Sequence, residues 1–595
     1  MRIKFLLVGF IAFWLILLVR IYYISIKSNT YYEEIAKQNA VKVDDLSPFR
    51  GSILDVNGKP LSVNKLGFSI GIKPQLSSSK KRKILDKEID ILVKNIEGLD
   101  AKKIKKLYLK RDSPYSHSFV KVIDFISYND LIKKFSKLSL RENLKITVSS
   151  KRYYPYQDLA SHIIGYVGKA NINDERDNEV AKLTGFIGKT GIEKYYNSVL
   201  EGIKGVKRTK VTAFNEEIEE IDKTLPVSSD IKLSIDLKLQ RYVEKVFENK
   251  SGAVIVMDVN SGKILAAGSF PEYDLNQFVT GVSTKKWKEL SNDFNHPFTN
   301  KLINGLYPPG SVIKMGIALS FLDSGLITKR TTYYDTGTLE LGGRNFRCWK
   351  KRGHGKTDML KAIRESCDDY FYKGSLKVGI DRISPLQYEL GFGHKTGVDL
   401  PNEFVGSVPG RLWKMQKYNK PWYQGETLIT SIGQGYFLVT PLQVARYTAL
   451  LATGMAVTPH FVQSIGGKDV SYEKEDIFTD KQKRNLPFIR KAMREVISNP
   501  KGTGHRYIKS KVDIAGKTGT AQVVGIPQGE KKRMKESELD YYHRSHAWFT
   551  TYGPYKNPQY VVTVLVEHGG HGGSAAGKVI SKIYDKLLEM KYIKK

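Results

Sequence analysis

Cysteine is nearly absent from this chain, which has only two, Cys348 and Cys367, among 595 residues. A fold held together by several disulfides is therefore excluded by count. Long apolar runs are scarce as well, and after residue 27 no run is long enough to cross a bilayer. A protein with several membrane spans is therefore not expected.

Acidic residues are outnumbered, with 61 Asp and Glu against 95 Lys and Arg, which gives a net charge of +34. Such an excess often indicates an anionic partner. Apart from short runs such as Lys80–Lys83 and Lys103–Lys106, the lysines are spread along the chain, and no basic stripe with interleaved aromatics appears. We therefore expect no nucleic-acid partner and interpret the charge as solvated surface.

The single long apolar run lies at the N-terminus. Phe5–Val19 contains no charged residue, and the run continues past Arg20 to Ile26. As a helix rising about 1.5 Å per residue, it is long enough to span a bilayer. A cleaved signal peptide is the alternative, but no small-x-small cleavage site follows Arg20. We therefore predict that residues 1–27 form a cytoplasmic stub and an uncleaved anchor.

The charges that flank this run predict its orientation. Arg2 and Lys4 precede it, and the positive-inside rule places such an end in the cytoplasm. Everything after Lys27 is then extracytoplasmic. We predict a single-pass protein of the plasma (inner) membrane whose main domains face the periplasm or exterior.

The length predicts two or three domains outside the membrane. Residues 28–232 mix short strands with lysine-rich helices and include a charged, helix-rich lobe at about 70–150. After residue 232 the pattern changes to buried strands and helices. We predict a second domain over 233–595, with strands at both ends and helices between. The predicted strands lie at 253–257, 264–268, 512–515, 547–552 and 560–566, and a terminal helix at 575–588. This pattern predicts an α+β fold with an antiparallel sheet flanked by helices.

The segment Tyr307–Met315 reads Tyr-Pro-Pro-Gly-Ser-Val-Ile-Lys-Met. Its Pro-Pro-Gly turn places Ser311 at the start of an apolar helix, and Lys314 projects from the same face of the first turn. A neutral lysine amine there can remove the proton of a serine hydroxyl, which is otherwise a weak nucleophile. Ser311 is thus the candidate nucleophile and Lys314 its base. Ser283–Lys286 and Ser471–Lys474 share the spacing but lack the turn and helix, and we interpret them as surface.

A second motif, Ser366-Cys-Asp368, lies on a predicted helical stretch. The hydroxyl of Ser366 can relay a proton between a lysine and a leaving group. Alone, this tripeptide has no predictive value.

A third motif, Lys517-Thr-Gly-Thr520, ends a predicted strand. A lysine on an edge strand can bind a substrate carboxylate, and the hydroxyls of Thr518 and Thr520 can hydrogen-bond it. Gly519 allows a bound peptide to approach the backbone closely. Lys-Thr-Gly also occurs at 189–191 and 395–397, which we interpret as turns because neither follows a strand pattern.

Each motif alone is weak, but their order resembles that of the serine acyltransferases that recognise penicillin. The chain resembles the class B penicillin-binding proteins, most closely their elongation-type members. Asp368 stands where most of the superfamily has Asn, as elongation-type members also tend to show. The resemblance runs nearly end to end and includes the segments Arg50–Asp55, Gly188–Glu193, Gly305–Ser311, Gly433–Tyr436, Thr440–Gln443 and His546–Phe549.

The resemblance implies a penicillin-binding, serine β-lactamase-like transpeptidase domain over 233–595 and an elongated pedestal or dimerisation domain over 28–232. It implies a peptidoglycan D,D-transpeptidase that is acylated at Ser311 by a D-Ala-D-Ala stem peptide during cell elongation and maintenance of rod shape. The backbone amides of Ser311 and Thr520 would bind the oxyanion. β-Lactams would acylate the same serine, and the chemistry needs no cofactor.

The resemblance also implies partners. These are the stem peptides of lipid-linked nascent glycan, a glycan polymerase of the SEDS type and a rod-shape scaffold protein. A septal class B transpeptidase is the nearest alternative. A β-lactam-hydrolysing enzyme, a β-lactam-sensing receptor and a catalytically silent scaffold are more distant ones.

Both cysteines belong to a second cluster. Asp335, Cys348, His354 and Cys367 lie close in sequence and beside Ser366. Thiolate, imidazole and carboxylate ligands suit a tetrahedral zinc ion, and with four protein ligands its role would be structural. A Cys348–Cys367 disulfide and two buried thiols are the alternatives, and the compartment permits the disulfide.

Overall fold

The structure, a computed structural model, describes residues 2–27, 41–115, 118–212, 217–525 and 534–594. They form two compact units. The first contains the described parts of 1–51, 170–186 and 201–229, and the second those of 52–169, 187–200 and 230–595. The units do not follow the predicted boundaries at 27 and 232, which stay predictions.

The first unit begins with a helix over Arg2–Tyr22 that continues as one π-helical turn, Tyr23–Lys27. The apolar side chains between Ile3 and Ile26 are exposed. By length and composition, Ile3–Lys27, with a mean hydropathy of 2.4, is the one helix in the described residues that can cross a membrane. A signal sequence meets the same criterion.

The rest of the first unit is built around a three-stranded antiparallel sheet, in the order Val41–Leu46, Gly205–Val211, Glu217–Thr224. The helices Ile172–Asp177 and Glu179–Thr184 also belong to this unit. Every residue of the strand Glu217–Thr224 is exposed, and Glu217 pairs with Lys207 of the neighbouring strand and with Lys42 of the strand beyond it.

The second unit contains a seven-stranded sheet near its start. Its strands lie in the order Lys468–Asp469, Val462–Ile465, Ile231–Leu233, Ile53–Leu54, Pro60–Ile72 and Val120–Ser127, and Leu144–Tyr153 also pairs with Pro60–Ile72. The amphipathic helices Arg82–Asn95 and Ala101–Arg111 contribute to a separate apolar cluster whose buried members run from Ile70 to Leu144. Shorter helices lie at Tyr128–Ile132, Phe135–Ser139, Ser161–Ile164 and Gly191–Tyr195.

The later part of this unit is built on a five-stranded antiparallel sheet. We label its strands β1 (Gly252–Asp258), β2 (Ile264–Phe270), β3 (Ala515–Ala521), β4 (His546–Gly553) and β5 (Tyr560–Val566). Their order is β2-β1-β5-β4-β3, so β3 is an edge strand. The predicted antiparallel sheet is confirmed, with strands from both ends of the segment meeting at its centre.

Helices cover both faces of this sheet. Thr550 bonds to Thr448 of the helix Pro441–Thr453, and the next residue, Thr551, bonds to Tyr584 of the helix Gly572–Glu589. Because successive side chains of a strand point to opposite faces, the two helices lie on opposite sides. The sheet is therefore buried on both faces.

The remaining elements are mostly helical. The helices are Leu237–Phe247, Asn276–Val279, Thr284–Ser291, Lys314–Ser324, Met359–Arg364, Asp368–Val378, Ile380–Glu389, Arg411–Tyr418, Gln424–Ser431 and Asp480–Ser498. Short antiparallel pairs also join Tyr333–Asp335 with Gly355–Thr357, Thr338–Leu341 with Arg344–Arg347, and Ala456–Val457 with Lys474–Glu475.

Candidate active site

Ser311 lies in a single 3-10 turn, Gly310–Ile313, and the α-helix begins only at Lys314. The predicted apolar helix is present, but its first turn, which carries Ser311, is 3-10 rather than α. In a 3-10 turn the side chains at i and i+3 eclipse, which still aligns Ser311 with Lys314. Within the described residues, the Ser311 hydroxyl has no hydrogen-bond partner.

The turn that carries Ser311 is held from two sides. The Gly310 amide donates to the Gly433 carbonyl over 2.8 Å, and the Trp548 indole N–H donates to the Pro308 carbonyl over 3.1 Å. Gly310 has φ = +55°, in the left-handed region that favours glycine. These two hydrogen bonds and the glycine conformation define the path of the turn.

Lys314 is fully buried and binds the second motif. Its Nζ donates to Asp368 Oδ1 over 2.7 Å, to the Ser366 carbonyl over 3.0 Å and to Ser366 Oγ over 3.4 Å. Asp368 also accepts from the Trp349 amide over 2.8 Å. The carboxylate thus provides the counter-charge for a lysine that water does not reach.

Ser366 lies between the helices Met359–Arg364 and Asp368–Val378 rather than on a helical stretch, so that prediction is wrong. Its φ is +58°, an unfavourable left-handed conformation for serine that costs on the order of 1 kcal/mol. The conformation directs its hydroxyl to two lysines, with Lys517 Nζ at 2.9 Å and Lys314 Nζ at 3.4 Å.

Lys517 lies inside β3, because this strand begins at Ala515 and contains the whole Lys-Thr-Gly-Thr motif instead of ending before it. Its Nζ donates to Ser366 Oγ and to the Thr518 carbonyl, each over 2.9 Å. Burial, together with the positive charge of Lys314, holds the pKa of Lys517 well below its usual range. Asp368 opposes this shift only in part.

The other residues of the third motif connect β3 to its surroundings. Thr518 Oγ1 lies 2.7 Å from Thr503 Oγ1, and the Thr520 carbonyl accepts from Gln434 Nε2 over 3.2 Å. A Cβ on Gly519 would lie 3.1 Å from the Pro309 carbonyl oxygen and 2.9 Å from Val312. The close approach that requires glycine here is thus made by the protein's own nucleophile turn.

The four predicted metal ligands converge beside this site. Asp335, Cys348, His354 and Cys367 are all buried, and one ligand atom from each lies within 4.8 Å of the others. His354 Nδ1 is 2.7 Å from Asp335 Oδ2 and 3.5 Å from Cys348 Sγ, and Cys367 Sγ is 3.3 Å from Asp335 Oδ2. Cys348 and Cys367 are not joined by a disulfide.

The cluster's electrostatics favour anionic ligands at two positions. Burial opposes ionisation of Asp335, but hydrogen bonds from His354, the Gly337 amide and the two thiols lower its pKa to about 2. A hydrogen bond from Cys367 lowers the pKa of Cys348 to about 6. Donating that bond, together with burial, raises the pKa of Cys367.

This cluster is continuous with the second motif. Cys367 caps the helix Asp368–Val378 by accepting from the Tyr370 amide over 3.4 Å. Cys348 Sγ accepts from the Asp368 amide over 3.3 Å. The two thiols therefore hold the backbone on both sides of the Ser366–Asp368 motif.

The weaker copies of the motifs lie elsewhere. Ser283 is the exposed N-cap of the helix Thr284–Ser291, and Ser471 is exposed. In the copy at 395–397, Lys395 is exposed and Thr396 bonds to Glu403 over 2.6 Å. In the copy at 189–191, Gly191 begins a short helix.

A buried ion pair behind the nucleophile turn was not predicted. Lys301 Nζ lies 2.6 Å from Glu567 Oε2, and Glu567 accepts from the Tyr307 hydroxyl over 2.7 Å. Tyr307 precedes the turn that bears Ser311. No motif marks Lys301 or Glu567, since they come from distant segments and nothing in their local sequence distinguishes them.

Known proteins resemble the whole chain. The model of the penicillin-binding protein transpeptidase domain matches residues 252–586, and that of the penicillin-binding protein dimerisation domain matches 45–232. The peptidoglycan D,D-transpeptidase MrdA of Escherichia coli (strain K12) is 34% identical over 592 residues, covering 96% of this chain and 92% of that protein.

Two solved structures are similar as well. A penicillin-binding protein (PBP2) from Helicobacter pylori, in complex with MreC, superposes with a TM-score of 0.85 at 44% identity, covering 93% of this chain and 99% of that one. A chain from a study of polymerization and crosslinking by a peptidoglycan synthase complex superposes with a TM-score of 0.70 at 27% sequence identity. The match covers 98% of this chain and 97% of that one. On this evidence the chain belongs to the class B penicillin-binding proteins, the family of the elongation-type D,D-transpeptidases.

Proposed function

We propose that this transpeptidase cross-links peptidoglycan stem peptides through an acyl-enzyme on Ser311 during cell elongation. One observation supports this most strongly. The Ser366 hydroxyl lies 2.9 Å from Lys517 Nζ and 3.4 Å from Lys314 Nζ, so three motifs far apart in sequence meet at one point. This arrangement supports the proposed roles of Ser311 as nucleophile, Lys314 as base, Ser366 as proton relay and Lys517 as the cation for a carboxylate.

In the acylation step Lys314, as the free amine, takes the proton of Ser311 while Oγ attacks the carbonyl carbon of the penultimate D-Ala. The amides of Ser311 and Thr520 bind the oxyanion. When the C–N bond breaks, the proton passes from Lys314 through Ser366 to the departing D-Ala amine. Asp368, at 2.7 Å, stabilises Lys314 while it carries the proton.

In the second step the amine of a neighbouring stem attacks the ester, forms the new amide and returns the oxygen of Ser311 to a hydroxyl. β-Lactams resemble D-Ala-D-Ala and enter the first step, but their acyl-enzyme keeps the leaving group tethered. The reaction needs no cofactor, because each proton and each charge is handled by a side chain or an amide of this chain.

Lys517 is proposed to bind the terminal carboxylate of the donor peptide, with help from the hydroxyls of Thr518 and Thr520. Burial and the positive charge of Lys314 lower its pKa. A carboxylate bound at this position would oppose that shift, because an opposite charge favours the ammonium form. Recognition is then strongest for ligands that carry the negative charge at this position.

The test is covalent labelling with a fluorescent penicillin, followed by peptide mapping of the adduct. The adduct should map to Ser311, and Ser311→Ala should not be labelled. Ser283→Ala is the matched control and should be labelled at the wild-type rate, because Ser283 is an exposed helix cap. Labelling of Ser311→Ala at the wild-type rate would disprove the assignment.

We further propose that the N-terminal helix anchors the chain in the plasma membrane, with its N-terminus in the cytoplasm and the catalytic residues outside. A rod-shape scaffold protein and a SEDS-type glycan polymerase are the proposed partners. Their support is the similarity to a PBP2 in complex with MreC and to a chain of a peptidoglycan synthase complex. Exchanging the charges that flank Ile3–Lys27 and mapping protease access from each side tests the orientation.

One structural zinc ion is proposed for Asp335, Cys348, His354 and Cys367. The donor set fits, since two sulfurs, an imidazole nitrogen and a carboxylate oxygen lie within 4.8 Å in a buried cluster. When bound, the ion would hold the segment 335–357 against Cys367. Four protein ligands leave no position for substrate, so the ion would take no part in acyl transfer.

A further inference from the structure

Three aromatic side chains, two of them exposed and the third, Trp413, half-buried, form a cluster near the candidate active site, which we call the aromatic patch. Trp413 and Tyr418 lie on the helix Arg411–Tyr418, and Tyr436 follows the Gly433–Gly435 turn. The ring centroid of Tyr436 is 5.4 Å from that of Trp413 and 5.2 Å from that of Tyr418. The three rings therefore pack against one another in a single cluster.

The helix that carries two of these rings buries a charged side chain and exposes apolar ones. Its one buried residue is Lys414, which forms an ion pair with Glu426, whereas Leu412 is 79% exposed. Tyr418 and Tyr436 are 42% and 38% exposed. A surface helix normally buries its apolar face, so this arrangement contributes little to folding. Contiguous exposed apolar groups of this kind mark a binding surface.

The patch is continuous with the catalytic residues. The Gly433 carbonyl accepts from the Gly310 amide, which precedes Ser311, and Gln434 Nε2 donates to the Thr520 carbonyl. Consecutive Cα atoms are about 3.8 Å apart, so the Cα of Tyr436 lies within about 8 Å of that of Gln434. The patch thus begins where the nucleophile turn and β3 meet.

We propose that the aromatic patch binds a sugar ring of the glycan to which the stem peptide is attached. This inference rests on the proposed function, because the substrate of that reaction joins a sugar to a peptide. A pyranose ring has an apolar face of C–H groups and a polar rim. Trp and Tyr match it with a flat apolar ring and a polar tip.

The charge of the patch agrees with this occupant. Lys417 is exposed, and its Nζ lies 5.2 Å from the ring centroid of Trp413. A stem peptide carries carboxylates, so a cation at the rim of the sugar site favours the peptide-bearing sugar over a neutral one. The patch would position the glycan strand of the acyl donor, while Lys517 binds the terminal carboxylate of its peptide.

The test compares two acyl donors with the same full-length protein. One is a disaccharide pentapeptide, N-acetylglucosaminyl-N-acetylmuramyl-pentapeptide, and the other is the free pentapeptide. Trp413→Ala and Tyr418→Ala should each raise KM for the disaccharide pentapeptide about fivefold to tenfold, because each removes one stacking contact. KM for the free pentapeptide should change less than twofold, and Trp413→Phe should recover part of the loss.

Trp287→Ala is the matched control, since Trp287 is also a helical tryptophan, 47% exposed and stacked on Phe298. It should leave the ratio of the two KM values unchanged. Equal changes for both donors, or no change for either, would overturn the sugar site. That result leaves the proposed function intact, whereas penicillin labelling of Ser311→Ala would overturn the function itself. If Trp413→Ala has a lowered thermal midpoint, Tyr418→Ala decides the outcome.

Discussion

Lys517 Nζ lies 2.9 Å from Ser366 Oγ, although 151 residues separate them in the chain. This contact joins the edge strand of the sheet to the turn between the helices Met359–Arg364 and Asp368–Val378. The Ser366 hydroxyl lies near two lysines, Lys517 and Lys314. Burial lowers the pKa of Lys517. The contact thus links carboxylate recognition to the proton relay.

The lowered pKa of Lys517 predicts a pH dependence for β-lactam acylation. Lys517 binds a carboxylate only as the ammonium ion, and its pKa lies well below that of an ordinary lysine. The second-order rate constant should therefore fall as pH rises, beginning at a lower pH than an ordinary lysine would give. Lys517→Arg should keep its charge and flatten this alkaline limb. The measurement is the acylation rate constant against pH.

Lys395→Arg provides the control for this profile. Lys395 begins another copy of the Lys-Thr-Gly tripeptide, at 395–397, and is exposed. Its profile should match the wild type. An unchanged alkaline limb in Lys517→Arg would show that another group sets the pH dependence.

Two substitutions of Ser366 distinguish the chemical role of its hydroxyl from the effect of its backbone conformation on stability. Ser366→Gly and Ser366→Ala both remove the hydroxyl, and each should lower the acylation rate by about 10²-fold or more. Glycine adopts φ near +58° without strain, so Ser366→Gly should exceed Ser366→Ala in stability by about 1 kcal/mol. Acylation kinetics and thermal unfolding measure the two effects. Equal thermal midpoints would contradict the strain assigned to this residue.

Sequence alone predicts the site residues whose position depends on local geometry, but not those whose position depends on contacts with distant segments. Ser311 and Lys314 are three apart, so local geometry alone aligns them, whether the turn is α or 3-10. The left-handed Ser366 is unpredictable from its tripeptide, because its hydroxyl contacts Lys314 and Lys517, which lie far away in the sequence. Glu567 has no local signal either, since its role depends on Lys301, which lies far away in the sequence.

The same distinction holds for the fold. Strands β1 and β2 both match predicted strands, and they pair with each other directly because they are adjacent in sequence. The predicted start of β3 at Val512 is too early, because Val512 and Ile514 alternate with Asp513 as in a strand, whereas the strand begins at Ala515 and includes Lys517 and two threonines. These polar residues are strand residues because β4 pairs with them along their full length. Pairing of this kind overrides local preference.

His162 is predicted to make stability depend on pH. Burial lowers its pKa to about 4 from an ordinary value of 6.5. The unfolded chain binds a proton below pH 6.5 and the folded one only near pH 4. The contribution of His162 is therefore complete above pH 6.5 and is lost as pH falls towards 4, by about 3 kcal/mol in total. Thermal midpoints at pH 7 and pH 5 measure it.

His162→Asn should show a smaller drop between these pH values than the wild type. His543→Asn is the control, because the His543 side chain is 61% exposed, and it should show the wild-type drop. An identical drop in His162→Asn would assign the acid sensitivity to other buried groups.

Removal of the proposed zinc ion should lower thermal stability and acylation together. Cys367 accepts a hydrogen bond from the Tyr370 amide, and Cys348 accepts one from the Asp368 amide. A metal that fixes both thiolates therefore also fixes the turn that presents Ser366. Purified protein should contain one zinc per chain. A chelator, or Cys367→Ser, should lower the thermal midpoint and slow acylation, because metal binding here contributes folding free energy.

His394→Ala alters an exposed histidine outside the cluster and should keep the metal. Metal analysis and thiol titration without reductant separate the remaining possibilities. No metal and no titratable thiol would establish a disulfide, although none joins the two cysteines in this structure. The absence of metal together with two titratable thiols would show that the four residues only pack against one another. In that case Cys367→Ser should leave acylation nearly unchanged, because serine can still accept the Tyr370 amide and cap the helix.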